Sequence, residues 1–330
     1  MNPIQSGLTR FLSERFADRV EVSGITESSA GARRLNVLFD ATLASGKRYE
    51  LCATIIGNVN ILIQPIAREA AVLRLAESAG MPVAHVYFDC EDASYLGGPF
   101  FISQRIAGET VPRRVLRMVE QVGHGERIVA QIGAAFAALH RVPLQHAPDD
   151  MTRPQANSAC QQALDNLGLQ IKELLQPSPA ISLGYRWLNS RMPARDNILT
   201  VIHADTRNGN IVISKSGLEA ILDWEGSRIG DPMEDLAWPC VRTWRFGEDE
   251  KEFGGLGSVN TLATAYEGAG GRFEPEVFHW WKVLGNLRWA IGLAGQAHQH
   301  LDGRVPNIVM AASGRRVCEL EYDLLCLLAG

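Results

Sequence analysis

The chain of 330 residues is long enough for two domains or for one large two-lobed domain. Its 32 Lys and Arg against 37 Asp and Glu give a net charge of -5, so neither a nucleic-acid surface nor an anionic-membrane surface is expected. No run approaches the ~18 apolar residues of a membrane span, and the segment "MNPIQSGLTRFLSERF" lacks the apolar core of a secretory signal. The six cysteines form no C-x-x-C pair, which favours reduced thiols over disulfides or a zinc site. We therefore expect a cytoplasmic protein.

The first hundred residues are rich in β-strand patterns. Residues 34–43 alternate apolar and polar positions, "ASGK" is typical of a turn, and residues 48–56 form a second strand pattern. Residues 65–80 have apolar residues at helical spacing and end at a glycine, with a proline close behind. The segments "VAHVYFDC" and "PFFISQRI" follow as two further strands. This order predicts a small antiparallel sheet with one helix inserted after its hairpin.

From about residue 107 the patterns are mainly helical, most strongly over residues 127–142, over 157–176 and in the last sixty residues. The sequence therefore predicts an α+β protein with a small β-rich N-terminal lobe, residues 1–106, and a larger, mainly helical C-terminal lobe, residues 107–330. We expect the acceptor site in the helical lobe, near residues 157–190 and 275–302. Aromatic residues at helical spacing are more often core than pocket, so those of residues 275–302 are assigned no catalytic role.

The polar stretch "HADTRNGN", residues 203–210, lies between two short apolar runs, and "DWEGSRIGDPMEDLAW" begins at residue 223. If the segment between them folds as a hairpin about Ser216 and Gly217, Asn210 lies opposite Asp223 and Asp205 lies at the same end. An amide oxygen and two carboxylates suit Mg²⁺, which takes few protein oxygens and adds phosphate oxygens. The spacing alone equally fits turn-forming residues that flank two strands.

Two motifs resemble a known family. "HADTRNGNIVI" resembles the H-G-D-x-x-x-x-N catalytic loop of the aminoglycoside phosphotransferase and choline kinase-like superfamily, and "ILDWEGSRIGDPMEDLAW" resembles its second conserved segment. The chain is most similar to the branch related to the kinase-like part of certain acyl-CoA dehydrogenases. The resemblance implies a bilobal protein-kinase-like fold and phosphorylation of a small-molecule hydroxyl, for example in a hydroxyacyl-CoA. ATP, or GTP, and Mg²⁺ would be the cofactors, and the oligomeric state stays open.

The resemblance also implies roles for individual residues. Asp205 would be the catalytic base, and Asn210 and Asp223 would hold Mg²⁺ on the nucleotide phosphates. Arg207 would contact the transferring phosphoryl group, or would be an ordinary surface arginine. The residues expected to bind the nucleotide are Gly31, Arg33, Arg34, Glu69, Gln104 and Ile106.

Three further positions of the motifs are expected to be structural. His203 would brace the catalytic loop by hydrogen bonding, and Asp231 and Asp235 would tie down the large lobe. Ala204 stands where the family motif has glycine. If that position needs a positive φ, the alanine costs about 1 kcal/mol.

The chain departs from the family at one charged position. Kinases of this type have a Lys or Arg on the second hairpin strand, which contacts the phosphates and pairs with a Glu of the following helix. Glu69 matches that Glu, but the cation position falls at Cys52 or Thr54, and neither carries a charge. These two side chains point to the same face of the strand, so a shift between the two alignments does not restore the charge.

Two substitutes for the missing cation are open. Arg33 or Arg34 could reach the phosphates from the preceding loop, or Lys47 or Arg48 could do so in a different strand register. If neither does, nucleotide binding is weak or lost. The alternative function is then a non-catalytic, kinase-like binding module.

Overall fold

The computed structural model describes residues 3–28, 34–57, 64–155, 158–195 and 198–329. Gly31 and Arg33, both expected to bind the nucleotide, lie outside these described residues. The chain divides into two compact units, which we call the sheet unit and the helical unit. The sheet unit comprises Met1–Glu109, Gln145–Met151 and Ile211–Ser227, and the helical unit comprises Thr110–Leu144, Thr152–Asn210 and Arg228–Gly330. The lobe boundary at residues 106 and 107 stays a prediction.

The sheet unit is built on a five-stranded antiparallel sheet in the order β1-β2-β3-β5-β4. Its strands are β1 Val20–Ser28, β2 Arg34–Leu43, β3 Arg48–Ile56, β4 Val86–Cys90 and β5 Phe100–Gln104. The predicted β2–β3 hairpin is confirmed at its strand limits, with Thr42 paired to Arg48 and Arg34 paired to Ile56.

The two faces of this sheet differ because side chains alternate along each strand. Odd-numbered residues of β2 and β3, such as Phe39 and Leu51, are buried in an apolar core. Helix α1, Pro3–Phe16, adds Leu8, Phe11 and Leu12 to that core. This helix was not predicted from the sequence. Even-numbered residues of β2 and β3 point to the opposite face, which therefore carries the side chains that bear on function.

Helix α2, Ile66–Ser78, follows the β2–β3 hairpin as predicted. Pro65 precedes its first turn, and Gly80, with φ +84°, follows its end, because glycine takes this left-handed conformation without strain. Glu69 lies in the first turn and is only 2% exposed. A charged side chain at that depth requires a partner.

A second hairpin also belongs to the sheet unit. Strand β6, Thr200–Ile202, belongs to the helical unit and precedes this hairpin in the chain. The hairpin consists of β7 Ile211–Ser214 and β8 Gly217–Ile221, which pair antiparallel and are joined by Lys215 and Ser216. The predicted hairpin between residues 210 and 223 is therefore confirmed, but its predicted register is wrong by one residue. Ile211 pairs with Ile221, not with Leu222, and the ladder is irregular between Val212 and Ile213. The backbone of the hairpin is held by the Ile221 N–H, which donates to the Pro82 carbonyl at 2.8 Å, and by a bridge between Ile213 and Glu109.

The helical unit contains the remaining elements. Its helices are α3 Pro112–Val122, α4 Gly125–His140, α5 Ala159–Lys172, α6 Pro179–Ser190, α7 Pro232–Ala237, α8 Val259–Gly268, α9 Pro275–Leu301, α10 Ile308–Gly314 and α11 Val317–Ala329. Strand β6 pairs antiparallel with β9, Arg228–Gly230. Helices α4 and α5 confirm the two helices predicted over residues 127–142 and 157–176. The predicted α+β fold class is also confirmed. In the described part of the chain, no helix has the length and apolarity to span a membrane.

Candidate active site

The loop of residues 203–210 leaves β6 and is anchored on Asp235 of α7. The Asp235 carboxylate is fully buried and accepts hydrogen bonds from the backbone N–H groups of His203, at 2.8 Å, and Ala204, at 2.6 Å. His140 Nε2 lies 3.2 Å from the same carboxylate. Burial by itself would raise the pKa of Asp235, but the His140 hydrogen bond, nearby positive charge and the backbone N–H groups together hold it below its ordinary value. The start of the loop is therefore fixed by a buried carboxylate.

The other expected structural residues have similar roles. Asp231 caps α7 by accepting the Met233 N–H at 2.8 Å, and it pairs with Arg195 at 2.9 Å. His203 is completely buried, and its Nδ1 accepts the Asp205 N–H at 3.2 Å. Thus His203 braces the loop by hydrogen bonding, as expected from the sequence.

Ala204 has a φ of +71°, the left-handed conformation that glycine adopts without strain. Alanine at this position, where the family has glycine, therefore strains the backbone and lowers the free energy of unfolding. The strain is held in place by Asp235, which accepts the Ala204 N–H.

The Asp205 carboxylate is held from both of its oxygens. Trp238 Nε1 donates to Oδ1 at 2.8 Å, and Asn210 Nδ2 donates to Oδ2 at 2.9 Å. Arg207 Nε lies 3.5 Å from Oδ2, and its guanidinium lies 4.9 Å from the centre of the Trp244 ring. The Asp205 side chain is still 34% exposed. It is a fixed carboxylate that a reacting hydroxyl can reach.

Asn210 and Asp223 each have an oxygen that is open for a metal. Asn210 uses its NH₂ group on Asp205, at 2.9 Å to both the carbonyl and Oδ2, and no donor among the described residues reaches its Oδ1. Asp223, in the sheet unit, is 37% exposed, and its nearest cation is Arg34 at 3.9 Å. Within the described ranges, no group of three or more His, Cys, Asp or Glu side chains could hold a metal. Each of these residues offers a single oxygen-bearing group, so Mg²⁺ bound at either would take further oxygens from phosphate and water.

Arg34 and Glu69 form a bidentate ion pair in the sheet unit. The two terminal nitrogens of Arg34 lie 2.9 Å and 2.8 Å from the two carboxylate oxygens of Glu69. Arg34 also lies 2.9 Å from Glu225. Burial, and then the nearby charges of Asp223 and Glu225, raise the pKa of Glu69 although Arg34 opposes them. The same carboxylates raise the pKa of Arg34 against the effect of its burial. The Arg34 guanidinium thus lies within 4 Å of three carboxylates, those of Glu69, Asp223 and Glu225.

The cation that pairs with Glu69 comes from β2 and not from β3. Arg34 pairs with Ile56, and Asn36 pairs with Thr54, so Arg34 and Thr54 lie on the same face of the sheet. Thr54 itself donates to Asn36 Oδ1 at 3.0 Å. Burial raises the pKa of Cys52 to about 11, so that thiol is neutral. Arg34 therefore reaches Glu69 from β2, on the face of the sheet that also carries Thr54.

The alternative of Lys47 or Arg48 required a different register and is wrong. Both residues lie at the opposite end of the β2–β3 hairpin from Arg34. Arg48 pairs with Asp40 at 2.8 Å, and the Lys47 ammonium lies 4.8 Å from the centre of the Tyr49 ring. Neither lies near Glu69.

Gln104 and Ile106 lie at the end of β5, where the sheet unit approaches its boundary at Glu109. Gln104 pairs with Leu51, its side chain is exposed, and its N–H donates to the His85 carbonyl at 2.8 Å. Ile106 is half-buried. Their contact with a nucleotide stays a prediction.

A cleft of about 820 Å³ opens in the helical unit, and none of its lining residues belongs to the 203–210 loop. Its lining combines exposed apolar residues, among them Phe246 and Tyr322, with arginines and carboxylates. Its wall includes Pro112, and a Cβ placed on Gly209 of the catalytic loop would lie 3.7 Å from Pro112 Cγ. None of its lining residues falls in the ranges 157–190 and 275–302, where the sequence analysis expected the acceptor.

Two residues at the site were missed from the sequence. Glu225, two residues after Asp223, shares Arg34 with Glu69. Trp238 donates to the proposed catalytic base. Both residues lie within the motif segment of residues 223–238, only a few positions in sequence from its motif residues. That proximity in sequence is the signal that could have identified them.

A family model described as "Phosphotransferase enzyme family" matches residues 62–276 of this chain. Among curated relatives, mouse acyl-CoA dehydrogenase family member 10 is 29% identical over 178 residues, which are 53% of this chain and 16% of that protein. Orangutan (Pongo abelii) acyl-CoA dehydrogenase family member 11 is 29% identical over 212 residues, 61% of this chain and 27% of that protein. The chain thus spans about a quarter or less of the length of these relatives.

Solved structures with the same fold cover nearly the whole chain. A candidate aminoglycoside phosphotransferase from Ralstonia eutropha has a TM-score of 0.72 at 20% identity and covers 97% of both chains. A mutant of aminoglycoside phosphotransferase APH(4)-Ia, in a ternary complex with AMP-PNP and hygromycin B, has a TM-score of 0.63 at 16% identity, with 96% and 98% coverage. The GDP complex of aminoglycoside 2'-phosphotransferase-IIIa has a TM-score of 0.66 at 12% identity, with 98% and 99% coverage. The predicted kinase-like fold is confirmed.

Proposed function

This chain belongs to the phosphotransferase enzyme family, and we propose that it transfers the terminal phosphoryl group of ATP, or of GTP, to the hydroxyl of a small molecule. The observation that carries the proposal is the bidentate pair between Arg34 and Glu69. A buried cation–glutamate pair in the nucleotide-binding part is a recurring requirement of kinase-like phosphoryl transfer. It answers the main objection from the sequence, the missing charge at Cys52 and Thr54.

The geometry of Arg34 leaves it able to contact phosphate. A guanidinium has five N–H donors. Glu69 accepts hydrogen bonds from two of them, and Glu225 forms an ion pair with Nη2 at 2.9 Å. The Nε–H and one N–H of Nη1 have no hydrogen-bond acceptor among the described residues. These N–H groups can bind phosphate oxygens while the pair with Glu69 stays in place, because a planar fork suits both partners.

Asn210 and Asp223 would hold Mg²⁺, and the ion would neutralise the charge of the nucleotide phosphates. The free Oδ1 of Asn210 and the exposed carboxylate of Asp223 support this assignment. Complexes of AMP-PNP and of GDP among structures of the same fold support a purine nucleotide as the donor. Both ATP and GTP are therefore proposed as phosphoryl donors.

Asp205 would accept the proton of the reacting hydroxyl and orient that hydroxyl toward the phosphoryl group. Its carboxylate is fixed by donors on both oxygens and remains 34% exposed. Arg207, 3.5 Å from the carboxylate, is the cation proposed to contact the transferring group. Positioning of this kind supplies most of the catalysis in phosphoryl transfer.

The acceptor would bind in the cleft of the helical unit. Its volume of about 820 Å³ is within the range of small-molecule sites, and one of its lining residues, Pro112, lies near Gly209 of the catalytic loop. The mixed lining of arginines, carboxylates and exposed aromatic rings suits a molecule with both polar and apolar parts. Since the curated relatives are named as acyl-CoA dehydrogenase family members, a hydroxyacyl-CoA is the acceptor class to try first.

Nucleotide titration followed by thermal unfolding tests the proposal. ATP or GTP at a hundred times its Kd should stabilise the protein by about 2.7 kcal/mol, and the stabilisation should require Mg²⁺. CTP, UTP and inorganic phosphate at equal concentration are the controls. No stabilisation by either purine triphosphate would overturn the proposal. Magnesium-dependent binding with no turnover in the presence of any hydroxylated acceptor would instead favour the non-catalytic binding module.

A further inference from the structure

Trp238 has a contact with Asp205 that its place in an aromatic cluster does not require. Its ring packs at 5.2 Å from the Trp244 ring and 6.3 Å from the Trp289 ring. Its indole N–H leaves this cluster and donates to Asp205 Oδ1 at 2.8 Å. The indole nitrogens of Trp244 and Trp289 are buried and have no hydrogen-bond partner among the described residues. Of these three tryptophans, only Trp238 gives its N–H to a charged group.

The orientation of the Trp238 ring is set by its neighbours. The Arg288 guanidinium lies 4.2 Å from the ring centre, and Arg288 is held in turn by Glu234 at 2.7 Å. On α9, Gly285 leaves room for the ring, since a Cβ there would lie 3.2 Å from it. A cation over an aromatic ring is attracted to its face, which fixes the plane of the indole and hence the direction of its N–H.

We propose that Trp238 is the positioning residue of the catalytic carboxylate, and that it leaves Oδ1 of Asp205 as the atom that accepts the proton of the reacting hydroxyl. The inference rests on the proposed function. A carboxylate oxygen has about two lone-pair sites. Oδ2 faces Asn210 at 2.9 Å and Arg207 at 3.5 Å, whereas Oδ1 receives only Trp238 among the described residues. One lone pair of Oδ1 is therefore open toward the acceptor, in a direction that the indole fixes.

The test compares two matched variants. Trp238→Phe keeps an aromatic ring and removes the donor, while Trp289→Phe makes the same change in a ring of the same cluster whose N–H has no partner. With Mg·ATP and water as acceptor, or with a hydroxylated acceptor once one is found, we expect Trp238→Phe to lower kcat about ten-fold. That is the effect of one lost hydrogen bond to a charged group. We expect an unchanged KM for ATP, and a kcat for Trp289→Phe within about two-fold of the wild type.

A second measurement does not depend on turnover. The indole N–H resonances of the seven tryptophans can be recorded in a ¹⁵N-labelled sample, with Trp238→Phe and Trp289→Phe assigning two of them. In Asp205→Ala the Trp238 resonance should move upfield and the Trp289 resonance should stay in place. A stationary Trp238 resonance, or equal kcat in the two phenylalanine variants, would overturn the positioning role alone. A wild-type protein that turns over no nucleotide with any acceptor would overturn the proposed function, and the positioning role with it.

Discussion

The 203–210 loop and the Arg34–Glu69 pair, the two regions proposed to act in phosphoryl transfer, are built in different ways. The loop matches each defined position of the family motif except Ala204. Its start is fixed by backbone N–H groups bonded to Asp235. In contrast, the positions where the family has its strand cation, Cys52 or Thr54 on β3, carry no charge. The guanidinium that pairs with Glu69 belongs to Arg34 on the neighbouring strand β2. A loop that is held by hydrogen bonds of its backbone N–H groups places each side chain at a fixed sequence position. A cation that works through the tip of a long side chain can move to another position on the same face.

The largest expected effect is at the loop. Asp205→Ala removes the proposed base and should lower phosphoryl transfer about a thousand-fold, the range of a general base. The melting temperature should stay within a few degrees of the wild type, because the carboxylate is partly exposed. Product formation by ³¹P NMR and thermal unfolding measure the two quantities. Transfer at more than a tenth of the wild-type rate would remove Asp205 from the base role.

The anchor of the loop should have a large effect on stability. Asp235→Asn replaces a fully buried carboxylate that serves two backbone N–H groups and His140, and it should lower the free energy of unfolding by about 3 kcal/mol. Asp165→Asn, an exposed helix position, is the control and should change the free energy by less than about 0.5 kcal/mol. Urea unfolding of the three proteins provides the measurement.

The same anchor predicts a pH dependence. Because the pKa of Asp235 is lower in the folded protein than its ordinary value of 3.8, its charge stabilises the fold above that pH. The contribution is lost as the pH falls through the folded pKa, when the carboxylate takes up a proton. The stability difference between the wild type and Asp235→Asn should therefore be full at pH 7 and shrink below about pH 4. A difference that does not change down to pH 3 would contradict this assignment.

A smaller effect is expected at Ala204. Ala204→Gly relieves a left-handed alanine, at φ +71°, and should raise the free energy of unfolding by about 0.5–1 kcal/mol. Ala135→Gly, in the interior of α4, is the matched control and should lower it by about 1 kcal/mol. Loss of stability in both variants would show that the Ala204 methyl group contributes more packing than strain.

The two regions were also predictable to different degrees. The loop and the existence of its hairpin could be read from residues close together in sequence. The β7–β8 register differs by one residue from the prediction, because Ile211 pairs with Ile221 rather than Leu222. Arg34 and Glu69 are 35 residues apart, and the choice of Arg34 over Arg48 depended on a strand register that periodicity alone does not fix. Trp238 lies 33 residues after Asp205, and its contact depends on packing against α9. Helix α1 was missed because its buried positions, Leu8, Phe11 and Leu12, are few in a polar segment.

The central claim is that Arg34 takes the place of the missing strand cation. Its test uses two variants that each remove one arginine from β2 or β3. Arg34→Met removes the partner of Glu69, and Arg48→Met removes an exposed arginine that pairs with Asp40. Both chains are first checked by circular dichroism, since Glu69 must take up a proton to stay buried without Arg34.

Isothermal titration of Mg·ATP into the wild type and these two variants is the most direct measurement. We expect Arg34→Met to weaken the Kd about 10- to 100-fold, as expected from the loss of charge-assisted hydrogen bonds to phosphate, and Arg48→Met to leave the Kd unchanged. Equal affinity in all three proteins would contradict the claim, and the nucleotide would then have to be held without the Arg34–Glu69 pair.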